Sequence, residues 1–232
     1  MIYRHQPSGP DYISQTEHAR IAAFLLSKTS FYQTLPSHIQ DILYLATLHH
    51  DDGWIKWEQN PTINPHTSFP YDFKTVPTLV HLEIWKRSRE IAARYGDAIG
   101  YFVSLHNHNL YHKFNYIMSN QEEEKLHQLF LTEEKSYRDS IQDPLYSDQD
   151  FKLYHDNCIQ WISMTDYISL VICMGIPSSS YSFADANIHI KNDSDSISIT
   201  PYIFSDSFSA SISVLTWPSL LEKKAKIKIK NL

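Results

Sequence analysis

Apolar residues recur at helical spacing through the first three quarters of the chain and at alternate positions after that. Upstream of Gly175-Ile176-Pro177, stripes stepping by three and four residues run through His18, Ile21, Ala22 and Leu25, and through Ile39, Leu43, Ala46 and His50. Others join His81, Ile84, Trp85, Ser88 and Ala92; Ile99, Phe102, Val103 and His106; and Ile159, Ile162, Asp166, Leu170 and Cys173. Each pattern predicts an amphipathic helix with one face turned to a core. Ser14-Gln-Thr-Glu17 and Ser37-His-Ile-Gln40 have the capping-box arrangement, which places the first two helix starts. An acidic, exposed helix is expected near Glu122 to Asp139. Between about Trp54 and Pro77 the chain carries four prolines and several aromatics, which predicts a long irregular loop of the kind that forms lids and walls.

Downstream of the Gly-Ile-Pro stop the apolar positions alternate: Ile188 and Ile190, Ile197 and Ile199, Phe208 to Val214, Ala225 to Ile229. Period two with polar partners predicts short antiparallel strands with one wet face. The closing Lys223-Lys224, Lys226, Lys228, Lys230 series reads as a solvated strand face or a protected edge strand. The predicted fold is therefore mainly α, with residues 1–176 forming a helical domain and residues 177–232 a small antiparallel β appendage packed on it.

Composition narrows the function classes. With 20 basic against 26 acidic residues the net charge is −6, which excludes a generally basic nucleic-acid-binding surface. Five scattered glycines assemble neither a P-loop nor a GxGxxG turn. Cys158 and Cys173 form no CxxC, which excludes zinc ribbons and thioredoxin-like redox motifs; they read as buried small hydrophobes in a reducing cytoplasm. No apolar run suits a signal peptide or a spanning helix, so a cytoplasmic protein acting on a small molecule, with neither nucleic acid nor membrane as partner, is expected. The sequence leaves the oligomeric state open.

Of 13 histidines only His189 lies beyond His155, so the candidate chemistry belongs to the helical part. A lone histidine or aspartate on an apolar stripe is usually a hydrogen-bonded core residue. Here five helices each bring an imidazole or a carboxylate to the buried face, and such groups are costly to bury unpaired. One shared cation resolves that cost for the set His18, His50, Asp51, His81, His106 and Asp166, since imidazole nitrogen and carboxylate oxygen are ordinary ligands of Zn, Fe, Mn, Co and Ni.

The order H, then an adjacent HD at a helix end, then a distant Asp resembles the HD-domain superfamily of all-helical metal-dependent phosphohydrolases. More closely, Ser14-Gln-Thr-Glu-His18-Ala, His50-Asp-Asp-Gly-Trp54, Trp57-Glu58, His81-Leu-Glu-Ile-Trp85, Val103-Ser-Leu-His106 and Asp166-Tyr-Ile-Ser-Leu170 resemble a bacterial family catalogued as a domain of unknown function, over about residues 10 to 215. The resemblance implies an HD-like helical bundle in which His18, His50, Asp51 and Asp166 hold a first divalent transition metal. It implies that His81 and His106 serve a second, with Asp51 bridging. Asp52 and His108 are the candidates for handling protons or contacting substrate, whereas His49 reads as structural and His66 as a surface residue. Trp54 stands where hydrolytic HD enzymes often carry lysine, so Trp54, Trp57 and Tyr71 are expected to wall a substrate pocket.

The expected function is hydrolysis of a small phosphorylated or nucleotide-like molecule. The alternatives are a diiron oxygenase on the same scaffold and a metal-containing binding or sensory module without turnover.

Overall fold

The computed structural model describes residues 1–4, 11–113, 120–183, 186–193, 196–216 and 221–230. Its order begins with β1 (Ile2–Arg4), β2 (Asp11–Ile13), α1 (Gln15–Ser27), α2 (Ser30–Thr34), α3 (Ser37–His49), α4 (Trp54–Gln59), α5 (Thr78–Ala92) and α6 (Asp97–Lys113). It continues with α7 (Gln121–Ser147), α8 (Gln149–Met174), β3 (Ser178–Phe183), β4 (Ala186–Asp193), β5 (Ser196–Thr200), β6 (Phe208–Thr216) and β7 (Leu221–Lys230). Among the described residues no helix is long and apolar enough to cross a membrane.

The strands form one seven-stranded sheet in the order β1-β2-β6-β7-β5-β4-β3, antiparallel except for the parallel pair β5–β7. This overturns the expected HD-like, mainly α bundle with a small antiparallel appendage. The first two strands come from the N-terminus, and the sheet supplies one wall of the largest apolar cluster. Three-residue strands such as Ile2–Arg4 are too short to show alternation, and parallel pairing leaves no local mark in a sequence. The lysines of β7 lie on an interior strand, not an edge: Ile227 and Ile229 turn inward while Lys224, Lys226, Lys228 and Lys230 stay exposed.

Two helices make the middle layer. Ile21 and Leu25 of α1 and Met164, Ile168 and Ile172 of α8 pack against Ile188, Ile197, Ile212 and Ile229 of the sheet. Their other sides, through Leu26, Cys158, Ile159 and Ile162, join a second cluster with Ile39 and Leu43 of α3 and Ile99, Phe102 and Val103 of α6. Because α1 and α8 are covered on two sides, polar residues such as His18, Asp166 and Ser169 are buried on them, while Arg20 and Gln160 stay exposed. Both cysteines are free and buried, and burial pushes each thiol up to about 12.

Local signals succeed and fail for identifiable reasons. Ser14 caps α1 by accepting from the Glu17 amide, but the Glu17 carboxylate is committed to Arg20 and the Ser213 amide. The second capping box does not form: α3 starts after Pro36 with no side-chain cap, and the Gln40 side chain instead donates to the carbonyls of Tyr32 and Leu35. α8 stops at Gly175, whose φ of 68° suits glycine and lets the Gly175 and Ile176 amides close on Ile172 and Val171. The predicted loop after Trp54 begins with the short helix α4 and becomes irregular only after Asn60. α7 is not simply exposed. Its Glu134 is fully buried, accepting from Arg89 at 3.1 Å and from the Ser104 hydroxyl at 2.6 Å, while Arg138 donates to Ser104 Oγ at 2.8 Å.

Candidate metal centre

Four helices, two of them those of the middle layer, converge on one buried group. α1 delivers His18, the end of α3 delivers His50 and Asp51, α6 delivers His106 and α8 delivers Asp166, all buried. The Asp166 carboxylate is the hub: Oδ1 lies 2.7 Å from His18 Nε2 and 3.4 Å from His50 Nε2, and Oδ2 lies 3.4 Å from His106 Nε2. Asp51 Oδ2 completes the group at 3.5 Å from His50 Nε2 and 3.8 Å from His18 Nε2. Donor atoms of His18, His50 and Asp51, and of His50, His106 and Asp166, lie within 4.8 Å of one another, a spacing one ion can span.

The outer faces of the three rings decide what the inner faces offer. His50 Nδ1 donates to the Thr47 carbonyl at 2.7 Å, which fixes its proton there. The Ser169 hydroxyl donates to the Asp166 carbonyl at 2.8 Å, so its oxygen accepts from His18 Nδ1 at 2.6 Å. Ser163 repeats the arrangement, donating to the Ile159 carbonyl and facing His106 Nδ1 at 3.4 Å. Each ring, when neutral, would therefore turn an Nε2 lone pair inward, onto carboxylate oxygens that are also acceptors. His106 Nε2 is buried without a hydrogen bond. Acceptors facing acceptors in a dry site require protons or a cation between them. Three neutral imidazoles and two carboxylates carry −2, which one divalent ion neutralises. Ring orientation by an outer hydrogen bond is also how metal-bound histidines are usually held.

Without an ion the groups polarise one another. Burial alone would push His50 down, but the Asp51 carboxylate and then Asp166 hold it up at about 9. Burial would raise Asp166, yet the facing imidazoles of His106, His18 and His50 keep its carboxyl well below the usual range.

His81 lines the same cavity, which measures about 40 Å³, but belongs to none of the close donor groups among the described residues. Its ring packs 4.3 Å from Trp85 and 5.4 Å from Trp54, and burial, aided by the N-terminal amine, pushes it down to about 3. His106, expected at a second metal, instead joins Asp166 and His50. Trp54 is fully buried in the cavity wall, whereas Trp57 and Tyr71 pack behind it. Asp52 points to the other side of α3, paired with His49 at 2.6 Å in a separate surface depression. His108 is turned from the cluster toward His112, and burial with Arg138 nearby lowers it to about 4.

Gln15, Phe73, Leu110 and Leu170 complete the cavity and were not anticipated. Gln15 Oε1 is buried there without a partner among the described residues. The Ser169 support was legible as a serine one turn after Asp166, in the Asp-Tyr-Ile-Ser segment. A third donor group, His38, Asp148 and Asp150, is largely exposed, and Asp148 is already engaged in capping α8.

The family described as Protein of unknown function (DUF3891) matches residues 1–218, and the chain belongs to it. No curated protein and no solved structure matches the chain. The family description names no HD domain, so the likeness to that superfamily rests on the order of the donors alone.

Proposed function

We propose that this protein is a metal-dependent hydrolase of small phosphorylated or nucleotide-like molecules, with one divalent transition ion held by His18, His50, Asp51, His106 and Asp166. The observation that supports this reading is the inward turn of three buried Nε2 atoms onto two carboxylates, each ring held from outside. A bound ion of this kind lowers the pKa of its water from 15.7 to about 7 and polarises a phosphoryl oxygen.

The chain supplies the rest. Ser169, Thr47 and Ser163 keep protons on the outer ring nitrogens, so the inner ones stay available. Asp51 and Asp166 balance the charge in a cavity whose wall of Trp54, Trp85 and Phe73 excludes bulk water. Gln15, which lines the cavity with its Oε1 buried and without a partner among the described residues, would supply an acceptor for a proton of a bound water. Asp52 and His108 have no part in this scheme, because neither side chain lines the cavity. The two-ion oxygenase reading would need a second donor set around His81, and among the described residues His81 enters none.

The test is phosphate release from p-nitrophenyl phosphate and from nucleoside monophosphates by protein loaded in turn with Mn, Co, Ni, Zn and Fe(II). Release that a chelator abolishes and the metal restores is expected. Protein shown to hold an ion yet inert toward every ester, or turnover indifferent to chelation, would sink the hydrolase assignment.

A further inference from the structure

Beside Asp166 lies a second cavity of about 310 Å³, within the range of small-molecule sites. It shares Asp166, Leu110 and Leu170 with the metal cavity, so the two spaces adjoin at those side chains. Its walls are two facing helical stripes closed by a strand: Leu110 and Lys113 on α6, Tyr167 and Leu170 on α8, and Tyr181 on β3. The lining is mostly apolar, and Lys113 is the one cation among its residues.

The position of Lys113 is specific. It follows His106 by seven residues on the same face of α6, which at 1.5 Å per residue puts it about 10 Å along the helix from the metal-facing ring. Its ammonium lies 4.6 Å from the Tyr181 ring centre and 5.6 Å from that of Tyr167, with the two rings 4.9 Å apart. Attraction to the ring faces holds the charge at the outer end of the cavity. Among the described residues no carboxylate pairs with it, and Asp166, the one acid in the lining, is occupied by three imidazoles.

We propose that this cavity is the substrate site and that Lys113 selects its occupant: a flat, largely apolar phosphate ester carrying a second anionic group about 10 Å from the reacting one. The proposal rests on the hydrolase reading for the direction in which the substrate lies. It moves the substrate from the Trp54 and Trp57 side, where the sequence suggested it, to the side of Tyr167 and Tyr181. Trp54 keeps the inner wall.

The experiment is calorimetric titration of the zinc-loaded protein with two non-hydrolysable probes, biphenyl-4-ylphosphonate and 4′-carboxybiphenyl-4-ylphosphonate, the second carrying its carboxylate about as far from phosphorus as Lys113 lies along α6 from His106. The carboxylated probe is expected to bind about three- to fivefold more tightly, as for a partly exposed ion pair. Lys113→Met should abolish that preference, weakening the carboxylated probe more than the plain one, and Lys113→Arg should retain most of it. Equal affinities in the wild type, a preference that survives Lys113→Met, or no binding of either probe would overturn the proposal. Chelator treatment separates the two readings. It should weaken both probes and keep their ratio, whereas affinity indifferent to chelation would count against the metal while leaving the assignment of Lys113 standing.

Discussion

Asp166→Ala should lose all bound metal and destabilise the protein by about 3–5 kcal/mol, the usual cost of stripping one partner from a buried charged group. The variant leaves three imidazoles facing one another with only Asp51 nearby, and no arrangement of protons satisfies them as well. Asp166→Asn keeps the shape of the side chain and separates the two effects: it should fold with a smaller loss and still fail to hold a stoichiometric ion. Elemental analysis of both variants, with urea denaturation alongside, reads the outcome. Near-stoichiometric metal in either would remove Asp166 from the site.

The second large effect is expected at a residue with no chemistry of its own. Gly53 sits where α4 leaves the His50-Asp51-Asp52 turn, with an ordinary helical φ of −59°, so its need is for space and not for an unusual backbone. A Cβ there would lie 2.0 Å from the Ile84 carbonyl oxygen and 2.8 Å from both the amide and the hydroxyl of Ser88. The Gly53 amide also donates to Ser88 Oγ at 2.9 Å. Backbone atoms on α5 cannot yield as a flexible side chain would, so Gly53→Ala should destabilise the fold by about 3 kcal/mol. The displacement would carry Trp54 and His81 with it and loosen the cavity wall. A denaturation midpoint within experimental error of the wild type would show that α4 and α5 are not locked at this contact.

Which parts of this were legible in the sequence follows from the range of the interactions involved. Helical periodicity placed His18, His50, His106 and Asp166 on inward faces, because an amphipathic stripe records burial residue by residue. It could not record which inward faces meet, so His81 looked equivalent to His106 although one packs between tryptophans and the other reaches Asp166. Adjacent polar residues were the hardest to assign. Asp51 and Asp52 differ by about 100° around a helical turn, and that rotation sends one carboxylate to the histidines and the other to His49.

The sheet was underestimated for a similar reason. Its C-terminal strands alternate plainly, but the union with Ile2–Arg4 and Asp11–Ile13 is a long-range pairing that six residues cannot announce. The cavity around Lys113 depends on that architecture, since Tyr181 reaches it from β3 while its other walls come from α6 and α8.

The most direct measurement is X-ray absorption at the metal edge of protein loaded with one equivalent of zinc. A first shell of nitrogen and oxygen at about 2.0–2.2 Å is expected, with the multiple-scattering pattern of three imidazoles, no sulfur, and loss of that spectrum in Asp166→Ala. A shell with one imidazole or none, or a spectrum unchanged by Asp166→Ala, would contradict this expectation.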